Sequence, residues 1–123
     1  MISRTGSHAF WCATAILILI LRTLHALAAD SGATSGQRLA HDVYKGNCLA
    51  CHQIPADPSA VSLANIGPPL VHMRERFPDR AALRSQIWDP RARNPETVMP
   101  PFGKNKILTD EEIDLIVDYI YQY

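Results

Sequence analysis

Five consecutive residues, Cys48-Leu49-Ala50-Cys51-His52, constrain this chain more than any other feature. Two thiols three positions apart fall on nearly the same face of a helical turn, and an imidazole follows directly. Cys-x-x-Cys-His is the attachment pattern of c-type haem. Each thiol forms a thioether to a porphyrin edge, and the histidine faces the iron as proximal ligand. Other readings of the thiols fit less well. A structural zinc needs a second pair of ligands. Beyond residue 29 the chain has no other cysteine, and His41 and His72 form no closely spaced pair. A thioredoxin-like dithiol belongs in a βαβ setting, and no strand-period pattern occurs. A lone disulfide across two residues would be strained.

The first 29 residues read as a cleaved secretory signal. Arg4 and His8 lie in a short polar start, Phe10–Leu21 is an apolar run, Arg22 ends it, and Ala26-Leu27-Ala28 supplies the small residues of a cleavage site. Cleavage is expected after Ala28 or one residue later. A membrane anchor is the rival reading, but the run is shorter than the roughly 18–20 residues a spanning helix needs. Cys12 leaves with the signal. Export to a periplasm-like space would tend to oxidise Cys48 and Cys51 to a disulfide. With His52 following them, thioethers to haem are expected instead. Loss of Arg4 and Arg22 leaves ten Lys and Arg against twelve Asp and Glu. That balance carries no basic excess for nucleic acid. The remaining chain is long enough for one domain but too short for a large core of its own.

Residues 30–36 are small and polar and read as a flexible leader. A first helix is expected from about Gln37 to Lys45, capped by Ser35, with Leu39/Val43 and Ala40/Tyr44 on its apolar side. The motif itself should be helical. Residues 53–69, with Pro55, Pro58, Gly67, Pro68 and Pro69, read as loop. A short helix is expected over Leu70–Arg76. Another runs from Arg80 to Trp88, capped by Asp79 and ended by Asp89-Pro90. Residues 89–106 are again irregular. Thr109-Asp110-Glu111-Glu112 is a capping box, and Ile113, Ile116, Val117 and Ile120 form the apolar stripe of a last helix. The fold class is all-α, with long proline-rich loops that need something to wrap around. Residues 37–123 form the single domain.

His52 is the expected proximal ligand of the iron. Its second ring nitrogen needs an acceptor. The Pro68 carbonyl is one candidate, although Gly67-Pro68-Pro69 also reads simply as a proline-rich loop. Met99, followed by Pro100 and Pro101, is the expected distal ligand, because a stiff backbone can hold its sulfur toward the iron. Met73 sits in a more ordinary, half-buried helical setting, and His41 and His72 read as solvated. Met/His ligation leaves no open coordination site and favours electron transfer. Leu63, Ile66, Leu70, Leu83, Ile87, Trp88, Val98 and Phe102 are the apolar residues expected around the porphyrin.

Cys-x-x-Cys-His, then Gly-Pro-x-Leu, then Met-Pro and an amphipathic last helix make the chain similar to monohaem c-type cytochromes over residues 36–123. The blocks Gly46–Gln53, Asn65–Leu70, Arg76–Arg80, Gln86–Asp89 and Asn94–Gly103 further resemble the SoxX family, the small cytochrome subunits of the SoxAX sulfur-oxidation complex. The resemblance implies a class I cytochrome c fold around one covalent haem c. Cys48 and Cys51 would carry the thioethers, and His52 and Met99 would bind the iron. It implies a SoxA-like haem partner holding the catalytic cysteine. The complex would join thiosulfate to a cysteine of a SoxY-type carrier (L-cysteine S-thiosulfotransferase), with this chain as its non-catalytic electron acceptor. Electrons would pass on to a downstream cytochrome c. Residues alone leave two alternatives: a free soluble electron shuttle, and a haem-based gas sensor that would need an easily displaced Met99. The long loop 53–69 and the charged Arg74–Arg84 stretch are either partner surface or simply solvated.

Overall fold

The structure, a computed structural model, describes residues 35–123. The signal expected over 1–29 and most of the expected leader lie outside them. Among the described residues four helices appear: α1 (residues 35–41), α2 (Met73–Arg76), α3 (Arg80–Trp88) and α4 (Asp110–Ile120). Single 3-10 turns stand at Cys48–Ala50 and Pro90–Ala92. Among the described residues there is no strand, and no helix is long and apolar enough to cross a membrane.

The first helix departs from expectation at both ends. Ser35, expected as its cap, and Gly36, expected in the leader, are already helical. Gly36 is buried against α4, where a Cβ would stand 2.0 Å from the Leu115 carbonyl oxygen. The two helix backbones touch there, and only glycine fits. The helix stops at His41 rather than Lys45. The Asp42 carboxylate accepts the Tyr44 amide at 2.8 Å, and the Gly46 amide turns back to the Leu39 carbonyl at 3.0 Å. Such side-chain competition for backbone donors ends helices. Leu39 and Ala40 therefore pack inward, whereas Val43 and Tyr44 are exposed.

The later helices follow their sequence signals. The Asp79 side chain accepts the Ala81 amide at 2.9 Å at the start of α3. Asp89, extended ahead of Pro90, ends α3 and caps the 3-10 turn that sequence reading left irregular. Thr109 and Glu112 make both halves of the capping box on α4. Ile113, Ile116, Val117 and Ile120 are all buried, and Tyr119 is buried with them. Leu83 and Ile87 of α3 also face the core. Arg80 and Arg84 reach across to α4. Arg80 pairs with Asp118, while Arg84 bonds Asp114 at 2.7 Å and Asp110 at 2.8 Å. Part of the charged stretch read as partner surface or solvent-facing is thus a strut between two helices.

A buried polar knot ties α1, the loop after the haem motif and α4 together. The Asp57 carboxylate accepts from the Tyr119 hydroxyl, from Gln37 at 2.8 Å, and from the Ser59 amide and hydroxyl at 2.8 and 2.7 Å. His41, expected to be merely solvated, lies 3.0 Å from the Tyr119 hydroxyl. Tyr123 meets the Tyr119 ring edge-on, with centroids 5.5 Å apart. Burial alone would raise the Asp57 carboxyl. The hydrogen bonds from Tyr119, Ser59 and Gln37 outweigh it and hold the group well below the usual carboxylate range.

Candidate functional site

The Cys48–Ala50 turn begins at Asn47, which takes the left-handed conformation (φ 45°) that asparagine tolerates better than most residues. The His52 amide then bonds the Cys48 carbonyl at 2.8 Å, one full helical turn. Cys48 and Cys51 are not joined to each other. Burial pushes the Cys48 thiol up to about 12, which does not suit an activated dithiol nucleophile.

The His52 ring is fixed from two sides. Its Nδ1 donates to the Pro68 carbonyl at 2.6 Å. A carbonyl can only accept, so Nδ1 carries the proton and Nε2 keeps its lone pair for a metal. Gly67 lies flat against the imidazole, and a Cβ on it would stand 2.3 Å from Cε1. The Gly67 amide bonds the Cys51 carbonyl at 2.8 Å, and the Leu70 amide bonds Gln53 at 2.8 Å, so the proline turn is sewn to the motif. The Pro68 carbonyl does what the sequence allowed but did not require.

A cavity of about 450 Å³ opens in front of this ring. Cys48 and His52 line it on the motif side, with Ile66 and Leu70 beside them. Leu83 and Ile87 of α3 and Ile116 and Ile120 of α4 form its back, and Val98, Met99 and Phe102 complete the wall. Cys51 is not among the lining residues. A thiol, an imidazole and a thioether facing one apolar cavity form a donor set suited to a covalently held haem. Among the described residues no cluster of His, Cys, Asp and Glu could hold a bare metal ion.

Two expected contacts are absent. Leu63 is 97% exposed. Ser62 bonds the Leu49 carbonyl at 2.7 Å, and Gln53 bonds the Ala64 carbonyl at 2.8 Å. Its neighbours are thus anchored inward, and Leu63 between them faces outward. Trp88 is 39% exposed and lies on Gly103 rather than in the cavity. Ile87 takes the inward position of the last turn of α3, and Trp88 follows one step round the helix.

Sequence reading also missed lining residues. Met73 lines the cavity and is 1% exposed, not half buried. Its sulfur accepts from Arg76 at 3.5 Å, and its amide bonds the Tyr123 carbonyl at 2.8 Å. Phe77 and Leu108 line the cavity as well. Neither stood out, because short irregular segments show no periodicity.

A family model described as "Cytochrome C oxidase, cbb3-type, subunit III" matches residues 35–120. The chain belongs to this cytochrome c family. Among solved structures, the crystal structure of SoxXA from P. pantotrophus is similar, with 27% identity and a TM-score of 0.64, over 72% of this chain and 78% of that one. An uncharacterized lipoprotein of Aquifex aeolicus (strain VF5) is 38% identical over 77 residues, which are 63% of this chain. The match spans 36% of that relative's length. The chain is therefore a SoxX-like cytochrome with an all-α, class I cytochrome c fold. Covalently bound haem c is the cofactor that this membership implies, and the donors around the cavity fit it.

Proposed function

We propose that this chain is an exported, periplasmic monohaem electron carrier that works as the SoxX-like subunit of a thiosulfate-oxidising SoxAX-type complex. The observation that carries the electron-transfer reading is the cavity itself: one apolar pocket with His52 set by Pro68 on one side and Met99 on its wall. Cys48 and Cys51 would hold the haem through thioethers, and His52 and Met99 would bind its iron. Bound there, the haem would supply one-electron chemistry. The chain's own residues do the rest. Pro68 keeps the proton on Nδ1 of His52, Gly67 lets the backbone close on the ring, and the aliphatic wall excludes water.

Likeness to SoxXA supports a SoxA-like haem partner. That partner would hold the catalytic thiol, which agrees with a chain whose only cysteines past residue 29 belong to the motif. A SoxY-type carrier would be reached through the complex, and a downstream cytochrome c would take the electrons. Purification of the native chain from a periplasmic fraction tests this. The expected result is a stoichiometric second haem protein and reduction of this haem on adding thiosulfate and the carrier. A red monomer without a haem partner, reduced only by other cytochromes, would make it a free shuttle. Ready carbon monoxide binding by the reduced protein would instead favour a sensor.

A further inference from the structure

The lining of the cavity is not wholly apolar: Arg76, Asn94, Glu96 and Thr97 belong to it, together with Phe77. Two guanidinium groups converge on the Phe77 ring, Arg93 at 5.2 Å and Arg76 at 6.0 Å from its centroid. Like charges brought to one ring repel unless an anion joins them. Among the described residues, neither has a carboxylate at ion-pair distance. Arg80, Arg84 and Arg91 each do. Arg38 and Arg74 also lack one, but they bond Ser35 and the Tyr121 carbonyl. Arg93 is not itself a lining residue; it reaches the site through the Phe77 ring, which lines the cavity.

Arg76 is held by neutral acceptors alone: the Pro69 carbonyl at 2.8 Å, the Val71 carbonyl at 3.3 Å and the Met73 sulfur at 3.5 Å. All three bonds use one terminal nitrogen, so the rest of the guanidinium fork is available to a ligand. The single acid in the lining, Glu96, pairs with neither arginine. A porphyrin of the haem type carries two carboxylates on one edge. They cannot sit unpaired against the aliphatic wall, and a guanidinium fork matches a carboxylate in shape as well as charge.

We infer that Arg76 and Arg93, gathered on the Phe77 ring, are the seat of the two porphyrin carboxylates and thereby fix which way round the haem enters the cavity. This rests on the haem reading above. Arg76 has a second consequence. Its bonds to Pro69 and Val71 brace the turn whose Pro68 carbonyl orients His52, so one side chain links the carboxylate edge to the proximal ligand.

The test uses the intact red holoprotein with Arg76→Gln, Arg93→Gln, Arg76→Lys and, as a surface control, Arg84→Gln. Both glutamine variants are expected to shift the propionate bending bands in resonance Raman and to lower the midpoint potential, because a cation beside the haem favours the reduced state. Arg76→Lys should restore the potential better than the bands, since it keeps the charge and loses the fork. Arg84→Gln should move neither. Unchanged propionate bands in both glutamine variants would overturn the assignment, whether or not the potential fell. If Arg76→Gln loses haem because its loop loosens, Arg93→Gln decides alone. A colourless wild-type protein would sink the haem reading instead.

Discussion

Met73 and Met99 both reach the cavity, yet their sulfurs differ in what else they touch. Arg76 holds the Met73 sulfur, and the core surrounds it. Met99 follows Thr97, whose hydroxyl accepts its amide at 3.2 Å, and precedes two prolines. Met99→Ala is expected to keep the haem attached and turn the reduced spectrum high-spin, with carbon monoxide now binding. Met73→Ala is expected to leave the low-spin spectrum intact and cost about 3 kcal/mol of stability through the hole it makes, read by denaturant titration. The reverse pattern would exchange their roles. His72 offers a second residue-level check. It sits at φ 53° ahead of α2, a conformation costly for a side chain of its size. His72→Gly should raise stability by about 0.5 kcal/mol, the strain relieved less the added freedom of the unfolded chain. The visible spectrum should not change, since His72 does not line the cavity.

Among the elements, the crossing of α1 and α4 is the most demanding contact. Gly36 brings a helix backbone onto the Leu115 carbonyl, with the Tyr119 Cβ also within reach. Gly36→Ala is expected to push the helices apart and destabilise the holoprotein by about 3 kcal/mol, an overpacking cost at the upper end. Thermal unfolding of the red protein measures it. Between α3 and α4 the contact is gentler. Apolar side chains meet in the core, and Arg80 and Arg84 pair with Asp110, Asp114 and Asp118 at the rim, where exposed ion pairs contribute little each.

At the scale of the molecule, two features govern stability. The first is the Asp57 knot. Its carboxyl is depressed in the folded chain, so its stabilisation is present above the unfolded value of about 3.9 and is lost as pH falls below it. Asp89, held down by Arg91 and Lys104, and Glu112, held down by Lys45, act in the same direction. The unfolding midpoint should therefore fall steeply below about pH 4. Asp57→Asn should cost about 2 kcal/mol at neutral pH and flatten that fall. The second feature is the cavity. Without a porphyrin its apolar lining would face water, and a chain this short has little other core to offset that loss. Cys48→Ala with Cys51→Ala should therefore yield a colourless chain with much of its helical circular dichroism lost.

The sequence by itself determined the chemistry and the local starts and stops. The spacing of Cys48, Cys51 and His52, the caps at Asp79 and Thr109 and the stripe on α4 are all short-range, and a few neighbouring side chains suffice to encode them. Tertiary structure decided everything that needs two distant segments to meet. It carried α1 back to Ser35 through Gly36, turned Leu63 and Trp88 away from the cavity, and drew in Met73 and Phe77. It also gathered Asp57, Tyr119 and His41, and brought Arg93 to the same ring as Arg76. Those outcomes depend on which backbone can approach which, and on where buried polar groups find partners. Neither is visible in a periodicity read one window at a time.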